Sequence, residues 1–173
     1  MHSTDLTRGQ NQWSAFDWWP PIGWWPEPAR DMAPSGAGTS SATFVLTPHA
    51  RSVHAARCFA SGSLTGWAMC DLVADMELVV SELATNALRH GLASGDPRPP
   101  CPRADLVRMS MIRMGPLVTC AFADPGSAVP VLRHTEDLST GGMGLHIVES
   151  MSLRWGFDPL PPYGKVVWAV LKS

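Results

Sequence analysis

The stretch SELATNALRHG, residues 81–91, closes a helix-period segment whose two sides carry different chemistry. Across 71–90, at about 100° per residue, Met76, Val79, Val80, Leu83, Ala84, Ala87 and Leu88 share one broad arc, and Gly91 stands where such a helix stops. Glu82 and Asn86 lie one turn apart, roughly 40° from each other at the margin of that arc, so they border whatever the helix covers. A carboxylate there suits a general base, and a neutral amide oxygen suits Mg²⁺, a hard cation that keeps several waters and takes few protein ligands. Arg89, about 20° from Glu82, either pairs with it or faces phosphate. Taken alone, the same stripe also reads as a solvated helix face; Asp71, Asp75 and Glu77 read as helix-start and surface charges.

On either side the periodicity changes. Residues 42–46 are strand-like, and Pro48 suits the first turn of a helix over 48–63. The prolines and glycines of 91–102 make a loop. Residues 106–114 and 117–124 then read as strands joined through Gly115-Pro116 as a hairpin. A loop over 125–142, a short helix over 144–152 and strands over 153–157 and 165–171 follow. Alternation along 117–124 puts Val118, Cys120, Phe122 and Asp124 on one face, so a carboxylate emerges at the strand end above apolar side chains. An ionised carboxylate only accepts hydrogen bonds and so suits the amino group of adenine, with Pro125-Gly126 turning the chain away; a plain turn-initiating Asp gives the same local pattern.

Gly141-Gly142-Met143-Gly144 opens onto the amphipathic piece Leu145, Ile147, Val148, Met151. Backbone N–H groups and the dipole of a helix start favour phosphate, although glycine loops also merely turn corners. Other motifs fail. Gly164-Lys165-Val166 lacks the Ser/Thr and upstream glycine of a P-loop, and Ile147 stands where a dinucleotide fingerprint needs Gly or Ala. HRD, DFG and GxSxG are absent, and His49 and His54 are five apart, off one helical face, so they make no zinc pair.

With 173 residues, 45% hydrophobic and 16% charged, the composition suits one well-packed domain. A net charge of −2 supplies no broad cationic surface, so neither nucleic acid nor an anionic membrane is expected as a partner. No apolar run reaches a membrane-spanning length of ~18 residues and no signal-peptide pattern opens the chain, so a cytoplasmic location is expected. Cys58, Cys70, Cys101 and Cys120 are scattered without a CxxC pair and read as reduced thiols. Residues 1–41 differ from the rest: they are rich in proline, close on SGAGTSSA and carry Trp13, Trp18, Trp19, Trp24 and Trp25. They read as a flexible tail, dispensable for folding, ahead of a domain over 42–173. The tail is either a docking segment or an artefact of translation that begins at Met32.

Taken together, SELATNALRHG (81–91), DPGSAVP (124–130), GGMGLHIVESM (141–151) and GKVVWAVL (164–171) occur in the order of the N, G1 and G2 boxes and closing strand of the GHKL superfamily. Within it the sequence most resembles the anti-sigma-factor serine/threonine kinases, especially small actinobacterial members, over essentially all of 42–171. The resemblance implies an α+β fold of the Bergerat type, a two-layer sandwich with helices on one face of a mixed, mostly antiparallel sheet and ATP held between the layers. It implies Glu82 as catalytic base, Asn86 as Mg²⁺ ligand and Asp124 as adenine anchor with Gly126 in its turn. Gly142 and Gly144 would shape the phosphate-facing loop, and Arg89, His90, Leu145 and Lys165 would border the nucleotide. The implied partners are a sigma factor and a STAS-type anti-anti-sigma antagonist phosphorylated on Ser or Thr, and a homodimer is expected. The rival expectation is a non-catalytic nucleotide-binding switch. A sensor histidine kinase fits less well, because no dimerisation helix with an acceptor His precedes the domain. Three features depart from the family pattern: Ala128 stands near the second glycine of the G1 box, Gly164-Lys165 replaces Gly-Thr, and the loop between Asp124 and Gly141 is short.

Overall fold

Antiparallel pairing organises the chain around the hairpin that Gly115 closes. In a computed structural model, which describes residues 19–92, 106–132, 143–161 and 164–173, β1 (Thr39–Leu46), β2 (Val107–Met114), β3 (Leu117–Asp124), β4 (Arg154–Pro159) and β5 (Lys165–Lys172) form a sheet in the order β1-β2-β3-β5-β4. Each of the four ladders is antiparallel, so among the described residues the sheet is not mixed. Met114 pairs with Leu117, and Gly115 takes φ 60° between them, a conformation that favours glycine. On the next ladder Asp124 stands directly opposite Lys165.

One sheet face is covered by α1 (Arg51–Gly66) and α2 (Val73–Asn86), with the short α3 (Gly144–Met151) beside α2. The expected arc is the buried one: Met76, Val79, Val80, Leu83 and Ala84 of α2 meet Ala56, Ala60 and Leu64 of α1. Beneath them lie Leu46, Met109, Met111, Cys120 and Phe122, the inward set of three strands. Burial pushes the Cys120 thiol well above its usual range, so it is an inert core group, while Cys58 and Cys70 are exposed free thiols; Cys101 lies outside the described residues. Pro48 precedes α1 rather than opening it, and α2 continues into a wider turn of π type, Ala87–Gly91.

The opposite face is where the sequence misleads. Strand β1 begins at Thr39, not at 42, and the segment before it crosses the back of the sheet. Trp19 and Trp25 are 4% and 5% exposed and Ala29 fully buried, packed on Ile112, Leu117, Ala121, Ala123, Val166, Trp168 and Val170. Alanines at 121 and 123 leave room for the indoles, and Trp25 Nε1 donates to Ala29 O at 3.0 Å, which satisfies its one polar atom. Arg154 on β4 ties down the turn Glu27–Met32 through Asp31 at 2.8 Å and through Pro28 O, and Arg108 reaches Trp19 O at 3.3 Å. A free tail therefore does not describe residues 19–38: β2, β3 and β5 present apolar side chains on both faces, and indoles cover the second. A start at Met32 would remove Trp19, Trp25 and Ala29 from that layer. Trp13 and Trp18 lie outside the described residues.

Candidate nucleotide site

Helix α2 and the ends of β3 and β5 frame a cavity of about 510 Å³, a size suited to a nucleotide-sized ligand. Its helical wall carries Glu82, Asn86, Arg89 and His90, and its sheet side carries Phe122, Asp124, Lys165 and Val167. Gly144 and Leu145, the first residues of α3, close a third side. Glu82 and Asn86 are half-buried at the rim of the apolar arc, as their spacing predicts; Asn86 is the last residue of α2. Arg89 and His90 are exposed on the π turn. All four side chains of this stripe line one cavity.

Asp124 is 1% exposed. Its Oδ1 accepts the Gly126 N–H at 2.9 Å and the Lys165 ammonium at 2.8 Å, and Lys165 Nζ also donates to Gly126 O at 3.1 Å. The carboxylate is thereby fixed both by the turn that follows it and by the strand opposite, and Gly126 supports it from behind rather than lining the cavity. A Cβ on Gly126 would lie 2.7 Å from Gly91 Cα, and one on Gly91 would lie 2.5 Å from Asp124 Oδ1 and overlap its Cγ. Gly91 is thus more than a helix stop: the helix end touches the strand end and its turn here, and neither Gly91 nor Gly126 has room for a side chain. Gly164, at φ 96°, would likewise place a Cβ 2.7 Å from Asp124 O. Sequence reading missed these glycine contacts, because they join segments more than thirty residues apart and no local pattern marks them.

Gly144 follows the same logic on the other side. A Cβ there would meet Glu82 Oε2, the movable end of that side chain, so the start of α3 lies close against the carboxylate of α2. Gly142 lies outside the described residues. Ala128, Val129, Pro130 and Val131 form the remaining wall, and Val129 and Val131 are 55% and 67% exposed. The sequence places 124–130 in a G1-like box but assigns Val129 and Val131 no role. Among the described residues no three His, Cys, Asp or Glu side chains cluster as a metal site, and no helix is long and apolar enough to cross a membrane.

Chemically the cavity offers an anchored acceptor with a cation at its floor, apolar surfaces beside it, and a carboxylate and an amide at its rim. A family model described as histidine kinase-like ATPase domain matches residues 46–170, well over half of the chain, which takes in α1 to α3, β2 to β4 and most of β5 but only the last residue of β1. No curated protein matches the chain.

Proposed function

The chain belongs to the histidine kinase-like ATPase domain family, and on that footing we propose that it is an ATP-dependent protein serine/threonine kinase of the anti-sigma type. In this reading it holds a sigma factor inactive and phosphorylates a STAS-type antagonist. The family, of GHKL type, binds ATP, and the cavity fits that ligand. Asp124 supplies an acceptor for the adenine amine beside Phe122 and Val167, and Gly144 opens the helix α3 N-terminus toward the phosphate end. The donor set at the rim is hard oxygen: the Asn86 amide and the Glu82 carboxylate suit Mg²⁺ held largely by phosphates, with Asn86 as its protein ligand. When bound, Mg²⁺ would supply charge neutralisation on those phosphates.

The observation that carries the kinase reading is the position of Glu82, half-buried on the cavity wall against the glycine at the start of α3. There Glu82 accepts the proton of a serine or threonine hydroxyl while that oxygen bonds to the γ-phosphorus and the bond to the departing ADP oxygen breaks. Arg89 and His90 are exposed on the same rim, and in this reading they border the approach of an acceptor protein. The exposed Val129 and Val131 beside them give such a partner apolar contact. The anti-sigma assignment rests on the resemblance of the N, G1 and G2 boxes. Incubation of the whole chain with γ-labelled ATP and a purified STAS-type antagonist tests it: label on a Ser or Thr of the antagonist is expected. Nucleotide binding with no transfer to the antagonist would leave the rival reading, a non-catalytic partner switch.

A further inference from the structure

Lys165 is an unusual residue to find at the bottom of this cavity. It is 7% exposed, stands directly across the β3–β5 ladder from Asp124 and lines the cavity with it. A primary ammonium has three N–H groups. Two go to Asp124 Oδ1 and Gly126 O, and no acceptor for the third is found among the described residues. The floor therefore presents an acceptor and a donor side by side, 2.8 Å apart, both held from behind by the turn at Gly126.

We propose that Lys165 is a base-specificity residue, donating a hydrogen bond to N1 of adenine while Asp124 accepts from the 6-amino group. The inference rests on the ATP-binding reading of the cavity and deepens it. A lone carboxylate selects only for a donor at position 6. A carboxylate beside an ammonium selects for the ordered pair, donor at position 6 and acceptor at position 1, which adenine presents. A 6-oxopurine in the same pose inverts both members: O6 meets the carboxylate and N1–H meets the ammonium, so two buried mismatches replace one. An ammonium, already oriented by its 2.8 Å contact with Asp124 Oδ1, is a stronger hydrogen-bond donor than a neutral hydroxyl or amide at the same place.

The test is calorimetric affinity of the whole chain for ATP, 1-deaza-ATP (N1 replaced by C–H) and GTP, for wild type and for Lys165→Gln and Lys165→Met. Wild type should bind 1-deaza-ATP roughly ten- to a hundredfold more weakly than ATP, the usual worth of a hydrogen bond to a charged donor. In Lys165→Met that penalty should vanish and the preference for ATP over GTP should shrink; in Lys165→Gln, whose amide still donates, part of the penalty should return. Equal affinity of wild type for ATP and 1-deaza-ATP would overturn the proposal, whether or not either variant folds. So would an undiminished penalty in a folded Lys165→Met protein. Absence of ATP binding to wild type would instead overturn the nucleotide site itself, together with this inference.

Discussion

Gly91 and Asp124 are in contact through the side chain that Gly91 lacks: the carboxyl of Asp124 occupies the space where a Cβ would stand. The end of the helix that carries Glu82 and Asn86 is thereby set against the end of the strand that carries the acceptor, a juxtaposition that the Gly126–Gly91 contact shares. Gly91→Ala should force the two apart. A loss of about 1–3 kcal/mol is expected from overpacking, together with weaker ATP binding as Asp124 is displaced. Gly62→Ala is the internal control. That glycine is exposed on α1 with nothing near its missing Cβ, and the same substitution should raise stability by about 0.4–1 kcal/mol. Chemical denaturation of both variants measures the contrast, and equal effects would remove the Gly91 contact from the account.

The tryptophan segment gives a second prediction, opposite in sign to what its composition suggests. Trp25 is 5% exposed and its indole N–H is satisfied within its own turn, so Trp25→Ala should cost about 3–5 kcal/mol, the usual loss for a large buried aromatic. Deletion of residues 1–38 should lower the melting temperature strongly, because it uncovers Ile112, Ala121, Val166 and Val170 at once. An unchanged melting temperature in the deletion would return this segment to the status of a tail.

These cases show where the sequence was legible. The arc on α2, the hairpin at Gly115 and the strand ending in Asp124 are visible because each is set by a local period or turn, and each local choice agrees with the fold. Glu82, Asn86 and Asp124 could be placed on the correct faces for the same reason. The second apolar face of the sheet was not legible. Ala121, Ala123, Val166 and Trp168 alternate with an equally apolar set, so β3 and β5 read as continuous hydrophobic runs, with no signal of what covers the outer side. Proline and serine around the tryptophans pointed to a linker, yet prolines can also hold an extended segment ready to lie on a sheet. The pairing of Lys165 with Asp124 was hidden as well, because it depends on strand register across 41 residues.

Glu82 and Asn86, adjacent on one rim, should fail in different ways if one handles a proton and the other a metal. Glu82→Gln keeps size and packing but provides a poor base, so ATP affinity should persist while phosphate transfer falls by roughly two to four orders of magnitude. Asn86→Ala should weaken binding of MgATP itself, and transfer with it. Parallel titration and transfer assays separate the two. Equal loss of nucleotide binding in both would give Glu82 a structural role, and undiminished transfer in the Gln variant would remove it from the chemistry.

The claim on which the rest depends is that the buried carboxylate of Asp124 receives the base of ATP. The most direct measurement is a calorimetric titration of the whole chain with MgATP, wild type against Asp124→Asn, with the melting temperature of each recorded alongside. The substitution keeps the shape but replaces a pure acceptor by a group that can present a donor to the adenine amine. Wild type should bind one ATP per chain, and the Asn variant should remain folded and lose affinity by roughly tenfold or more. A folded Asn variant that binds ATP as tightly as wild type would contradict the account and make Asp124 a residue of the turn alone.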